Sequence, residues 1–219
     1  MGNQRLNSFK QTGTGLSIII FPIMLLLGFM SHPNFFSFGI ITDAAEWADE
    51  WRGNFLFHFG HLLVLFAVPF IIVTSVRFMS VLQNRGAWLG LIGGVLGVFG
   101  AFMLAVDKGA LCLVLTAFQT LPDSQFINIT PALQALLDKA GWLWIVWFFL
   151  LLPVGFILQT VGLVKEELVP RWQGAAIIIG LLLLINPDIE IISSVGAILM
   201  CIGFIPIGVR QVKGTFVTD

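Results

Sequence analysis

Long apolar stretches follow one another through this sequence with only brief polar breaks between them. Such a stretch must hide its backbone N–H and C=O groups from a solvent that cannot hydrogen-bond, and a helix does this within itself. Crossing a hydrocarbon core of about 30 Å takes roughly 17 to 25 helical residues. Six runs are read on that scale: 14–31, 54–82, 86–106, 141–164, 170–186 and 187–209. Composition points the same way. With 58% hydrophobic and 11% charged residues among 219, the eleven basic and twelve acidic side chains cannot clothe a soluble core of this size. The predicted fold class is therefore all-α: a polytopic integral membrane helix bundle of six transmembrane helices. No repeat or low-complexity linker divides the chain, so 1–219 reads as a single transmembrane domain.

Each run carries its own punctuation. The first is too long for a signal-peptide core and lacks a small-residue cleavage site, so it reads as a retained span. Pro69 should kink the second, and Arg77 near its end can snorkel to the headgroups. The third meets Asp107-Lys108-Gly109 and then resumes as an apolar run, with a break expected at Gly109. Trp142, Trp144 and Trp147 suit an interfacial belt at the start of the fourth. The fifth is short and reaches the lower limit only by starting at Pro170.

Basic residues between spans set orientation, because basic loops stay in the cytoplasm. With six crossings, Arg5, Lys10, Arg77, Arg85, Lys165, Arg171, Arg210 and Lys213 share one side, leaving Arg52, Lys108 and Lys139 on the other. Both termini are then cytoplasmic, in a layout that suits a bacterial plasma membrane. The outer loops, 32–53 and 109–140, are long enough to hold structure. DAAEWADEW reads as a short amphipathic helix lying on the membrane interface, and Thr130-Pro131 as an N-cap and first helical position.

Ionisable groups near the membrane are the natural place to seek function. His58 and His61 stand three residues apart on one helical face, one to two turns below the outer surface. Gly86, Gly90, Gly93, Gly97 and Gly100 form a stripe that, continued through Leu104, points where Asp107 points, and small residues at that spacing seat a neighbouring helix. The 186–190 turn brings Asp188 and Glu190 to the same level, where either is a natural partner for Lys108. These two acids are equally the first-turn charges of a helix capped by Asn186 with Pro187 at its start. His32, beside Pro33, reads first as a solvated interfacial histidine and second as a third imidazole.

The leading functional reading is an outward-facing pocket of His58, His61, Asp107, Lys108, Asp188 and Glu190 that binds or passes a small ligand, proton or ion. A second is a metal-dependent membrane enzyme in which His58, His61 and Asp107 hold a divalent metal. A third is a non-catalytic subunit docking a membrane-protein partner, or a second copy, through the glycine-rich helix 86–106 or the Ser193, Ser194, Ala197, Cys201 face. Other chemistry finds no support. Net charge of −1 leaves no basic footprint for nucleic acid, so the expected partner is the lipid bilayer. Cys112 and Cys201 lie in apolar runs without disulfide or CxxC spacing, and no GxSxG, Walker or Rossmann pattern occurs, so the reading leans away from an enzyme.

Overall fold

A computed structural model describes residues 2–33, 35–186 and 189–216, and among them the secondary structure is entirely helical. The helices are α1 Gly2–Met30, α2 Ala44–Trp51, α3 Phe55–Val81, α4 Ala87–Val106, α5 Leu113–Phe118, α6 Asp123–Phe126, α7 Thr130–Leu137, α8 Leu151–Lys165, α9 Arg171–Leu183 and α10 Glu190–Val212. Among the described residues, five stretches are long and apolar enough to cross a membrane, within 4–30, 55–81, 87–118, 141–165 and 190–212. The sixth expected span, α9, has 13 helical residues and is about 20 Å long, short of a full crossing as a straight helix.

Six helices close into a ring in the order α1, α3, α4, α8, α9, α10 and back to α1. Neighbours run antiparallel. Gln11 Nε2 near the start of α1 donates to Val212 O at the end of α10, 2.9 Å away, and Arg77 Nε at the end of α3 donates to Gln211 Oε1 at 3.1 Å. Both ends of the chain's helical part therefore lie at one end of the ring. The same end holds the turns between α3 and α4 and between α8 and α9. There Glu166 Oε1 accepts from the backbone N–H groups of Asn84 and Gly86. The eight basic residues assigned to one side by the spacing of spans all belong to this end.

Glycine lets the helices approach. A methyl group on Gly93 would lie 2.5 Å from Gly155 O on α8, one on Gly60 2.7 Å from Gly28 O on α1, one on Gly208 2.7 Å from Gly15 O, and one on Gly180 2.6 Å from Gly196 O. No real Cβ tolerates such distances, so four of the six seams depend on facing glycines. The α4 stripe thus lies against α3 and α8 of its own chain, and the Ser193, Ser194, Ala197 face of α10 is likewise buried.

The axis of the ring is filled by phenylalanine. Phe21 packs against Phe204 at 4.9 Å between ring centroids and against Phe156 at 5.8 Å, and Phe78 joins both at about the same spacing (6.1 and 6.2 Å). Phe216 folds back to close the end nearest the termini, packing on Phe78 beneath Arg210. A small void of about 20 Å³ beside this cluster is lined by apolar side chains, Leu25, Ile71 and Met200 among them.

At the opposite end, α2, α5, α6 and α7 form a cap with its own core of Ala44, Ala48, Trp51, Phe57, Leu115, Phe126 and Leu133. Several local expectations change here. The apolar face of α2 packs on this protein core rather than on headgroups, held by Asp43 at its N-cap and by Gln134, which bonds Ala44 N–H and Thr42 O. Gly109 does not break the third run. The backbone passes through a π-helical stretch, Asp107–Cys112, straight into α5, because in an apolar setting widening the helix costs less than releasing its hydrogen bonds. Thr130 lies inside α7 and makes no capping bond. The last helix begins at Glu190, and Asn186 Oδ1 accepts the N–H of Ile189 instead of capping from its expected place.

Candidate functional site

The cluster at the capped end is assembled from five separate segments. Asp107 opens the π-helical stretch and is 6% exposed, so an ionised carboxylate there needs charged partners. It has two, one on each oxygen. Lys108 Nζ lies 3.1 Å from Oδ2, and Lys139 Nζ lies 3.4 Å from Oδ1. Lys139 arrives from the residue just past α7, in the left-handed backbone region at φ 51°, which a non-glycine residue seldom occupies. The three basic residues of this end are all ion-paired with acids there, the third being Arg52 with Asp123 at 2.9 Å.

Asn54 caps α3 through its side chain and so sets where the histidines fall. His61 is buried, and its Nδ1 lies 2.8 Å from Phe57 O; a carbonyl only accepts, so Nδ1 carries a hydrogen and donates. The His32 ring stands 5.0 Å from the His61 ring, and Lys108 is close enough to act electrostatically on both, as Asp107 is on His61. Nδ1 of His32 lies 3.4 Å from Glu190 Oε1. Burial first, and the Lys108 ammonium second, lower the His32 pKa from 6.5 to about 4, so at neutral pH the ring that faces Glu190 is uncharged.

His58 belongs elsewhere. Its Nε2 faces Gln119 Oε1 at 3.1 Å and its ring meets Trp51 edge-on, both parts of the cap. Three helical positions put the two histidines on one side of α3, yet their polar partners differ. The structure places His61, Asp107, Lys108 and Glu190 in one cluster with His32, which the sequence offered as a third imidazole, and with Lys139, which it did not single out. Asp188 lies outside the described residues. Lys108 is paired with Asp107, and Glu190 with His32.

The metal set His58, His61 and Asp107 is not assembled. Among the described residues no three His, Cys, Asp or Glu side chains are placed to hold a metal ion. The reason is visible at Asp107, whose oxygens already face ammonium groups that repel a cation, and at His58, which is turned into the cap. Ser193 Oγ, on the small face of α10, accepts from Asn186 Nδ2 at 2.8 Å. What the arrangement offers is a partly enclosed set of two carboxylates, two ammonium groups and two imidazoles, able to exchange internal ion pairs for those of a polar guest.

No protein-family model, no curated protein and no solved structure matches this chain.

Proposed function

We propose that this integral membrane protein crosses the bilayer six times, keeps both termini in the cytoplasm, and binds a small polar ligand at its extracytoplasmic end without conducting it. The observation that carries the reading is the enclosure of Asp107 between Lys108 and Lys139 beside His61, His32 and Glu190, under a helical cap. Ionisable groups gathered at membrane depth are costly and tend to mark function, and π-helical turns recur at functional sites. Against conduction stands the axis, where Phe21, Phe78, Phe156 and Phe204 pack ring to ring.

Two observations support an even number of crossings. The start of α1 and the end of α10 are hydrogen-bonded to each other, and eight of the eleven basic residues lie with them. A crossing by α9 leaves the turn after Leu183 beneath the outer boundary, where the polar cluster and the cap supply it with a wetted surround.

A thermal-shift screen of purified protein against small carboxylates, phosphates, amines and amino acids tests the binding claim. At least one class should raise Tm in the wild type and fail to do so in Lys139→Gln. Stabilisation retained in that variant, or absent for every class, would refute the assignment. Conduction is tested in proteoliposomes loaded with a pH-sensitive dye, where wild type and Asp107→Asn should both leave an imposed proton gradient as slow to decay as empty vesicles do.

A further inference from the structure

The end of the ring that carries the chain termini holds a second feature, remote from the capped site. Between α8 and α9 runs an open groove of about 240 Å³, lined by Val161, Val164, Gly174, Ala175 and Ile178 and flanked by Lys165 and Arg171. Its walls are apolar, and the two charged side chains that line it are both cationic. Lys165 ends an apolar stretch long enough to cross the membrane, and Trp172, 62% exposed at the first turn of α9, sits where an interfacial indole belongs. The mouth is therefore at headgroup depth and the groove runs toward the hydrocarbon. The acid nearest the end of α8, Glu166, is directed to the N–H groups of Asn84 and Gly86. The first N–H groups of α9 add positive potential at the same mouth.

We propose that this groove binds one anionic phospholipid, its phosphate held by Lys165 and Arg171 and one acyl chain lying along Gly174, Ala175 and Ile178. The volume decides against an enclosed small molecule, since pockets that enclose drug-sized ligands run from roughly 300 to 1,000 Å³, whereas an open groove need hold only a length of one chain. Charge decides between lipids. A zwitterionic headgroup brings its own cation to two others, while an anionic one complements them, as in basic interhelical pockets on the cytoplasmic faces of membrane proteins. The assignment stands independently of the polar site at the other end.

Native mass spectrometry of the detergent-solubilised protein titrated with phosphatidylglycerol or phosphatidylcholine reads this directly. One phosphatidylglycerol should be retained per chain in preference to phosphatidylcholine. The preference should fall about 25-fold in Lys165→Gln with Arg171→Gln, from two surface cations at roughly fivefold each. Ala175→Phe, which fills the groove and leaves both cations in place, should release the lipid as well. Circular dichroism and gel filtration matching the wild type establish that each variant is folded. Equal retention of the two lipids, an unchanged preference in the double variant, or complete displacement of phosphatidylglycerol by millimolar inorganic phosphate would overturn the proposal.

Discussion

A carboxylate as enclosed as Asp107 stays ionised only through the two ammonium groups that reach it. Removing its charge in Asp107→Asn leaves those ammonium groups facing each other. Breaking a fully buried pair costs roughly 3–5 kcal/mol, but Lys108 and Lys139 keep 23% and 20% of their side chains exposed and can turn to water, so a loss of about 2 kcal/mol is expected. Chemical denaturation in detergent micelles should show it, with part recovered in Asp107→Asn combined with Lys139→Gln. His32 makes a prediction of opposite form. Its pKa is near 4 in the folded protein and 6.5 when exposed, so between those values the unfolded chain takes up a proton that the folded one refuses. Its contribution to stability is complete above pH 6.5 and is lost as pH falls toward 4, by up to about 3 kcal/mol. Tm measured across that window should decline less steeply in His32→Gln than in the wild type. At this scale the sequence was informative where chemistry is scarce: His61, Asp107, Lys108 and Glu190 stood out as ionisable groups beside apolar runs. It was silent on Lys139, an ordinary loop lysine until the turn after α7 carries it to Asp107, and it divided His32 between two readings because burial is a property of neighbours 29 and 158 residues away, His61 and Glu190.

Elements here are held together more by what is missing from side chains than by what is present. Gly180→Ala would place its methyl 2.6 Å from Gly196 O and 3.0 Å from Met200, forcing α9 and α10 apart at a cost of about 1–3 kcal/mol. Gly13→Ala, with open space around its Cβ and an interior position in α1, should instead raise stability by up to about 1 kcal/mol. Thermal unfolding of the two variants should therefore move in opposite directions. In the cap, Trp51 is fully buried against Phe126, so Trp51→Ala is expected to remove about 3 kcal/mol from this unit. Limited proteolysis should then cut within residues 113–140 while the ring of helices remains intact. The glycine stripe of α4 was legible from its spacing, but its partners were not: Gly155 and Gly162 of α8 meet Gly93 and Gly86 only once the two helices pack. The π-helical passage through Gly109 was equally hidden. A polar pair followed by glycine ends a helix in water, and continues it where the surroundings offer the backbone no other partner.

As a whole molecule, the protein has one end rich in basic residues and closed by Phe216, and another covered by a folded cap over paired charges. Labelling of single cysteines in a cysteine-free background should distinguish these ends: Ser124→Cys in the cap should react with an impermeant maleimide in intact cells, and Asn84→Cys only after lysis. Both reacting together would show that the two ends share a compartment. Taken alone, the sequence determined that the chain is helical and apolar enough to span a membrane, where most of its long runs begin and end, the start of the first and the end of the third excepted, and which basic residues keep company, because solvent hydrophobicity and helix periodicity act locally along the chain. The tertiary structure alone decided that the helices close into a ring, that glycine meets glycine at their seams, that phenylalanines occupy the axis, and that Asp107 faces Lys139 while His58 turns to Gln119. Those outcomes depend on which surfaces fit at van der Waals distance between segments far apart in the chain, and that complementarity is a relation between helices which the composition of each one leaves open.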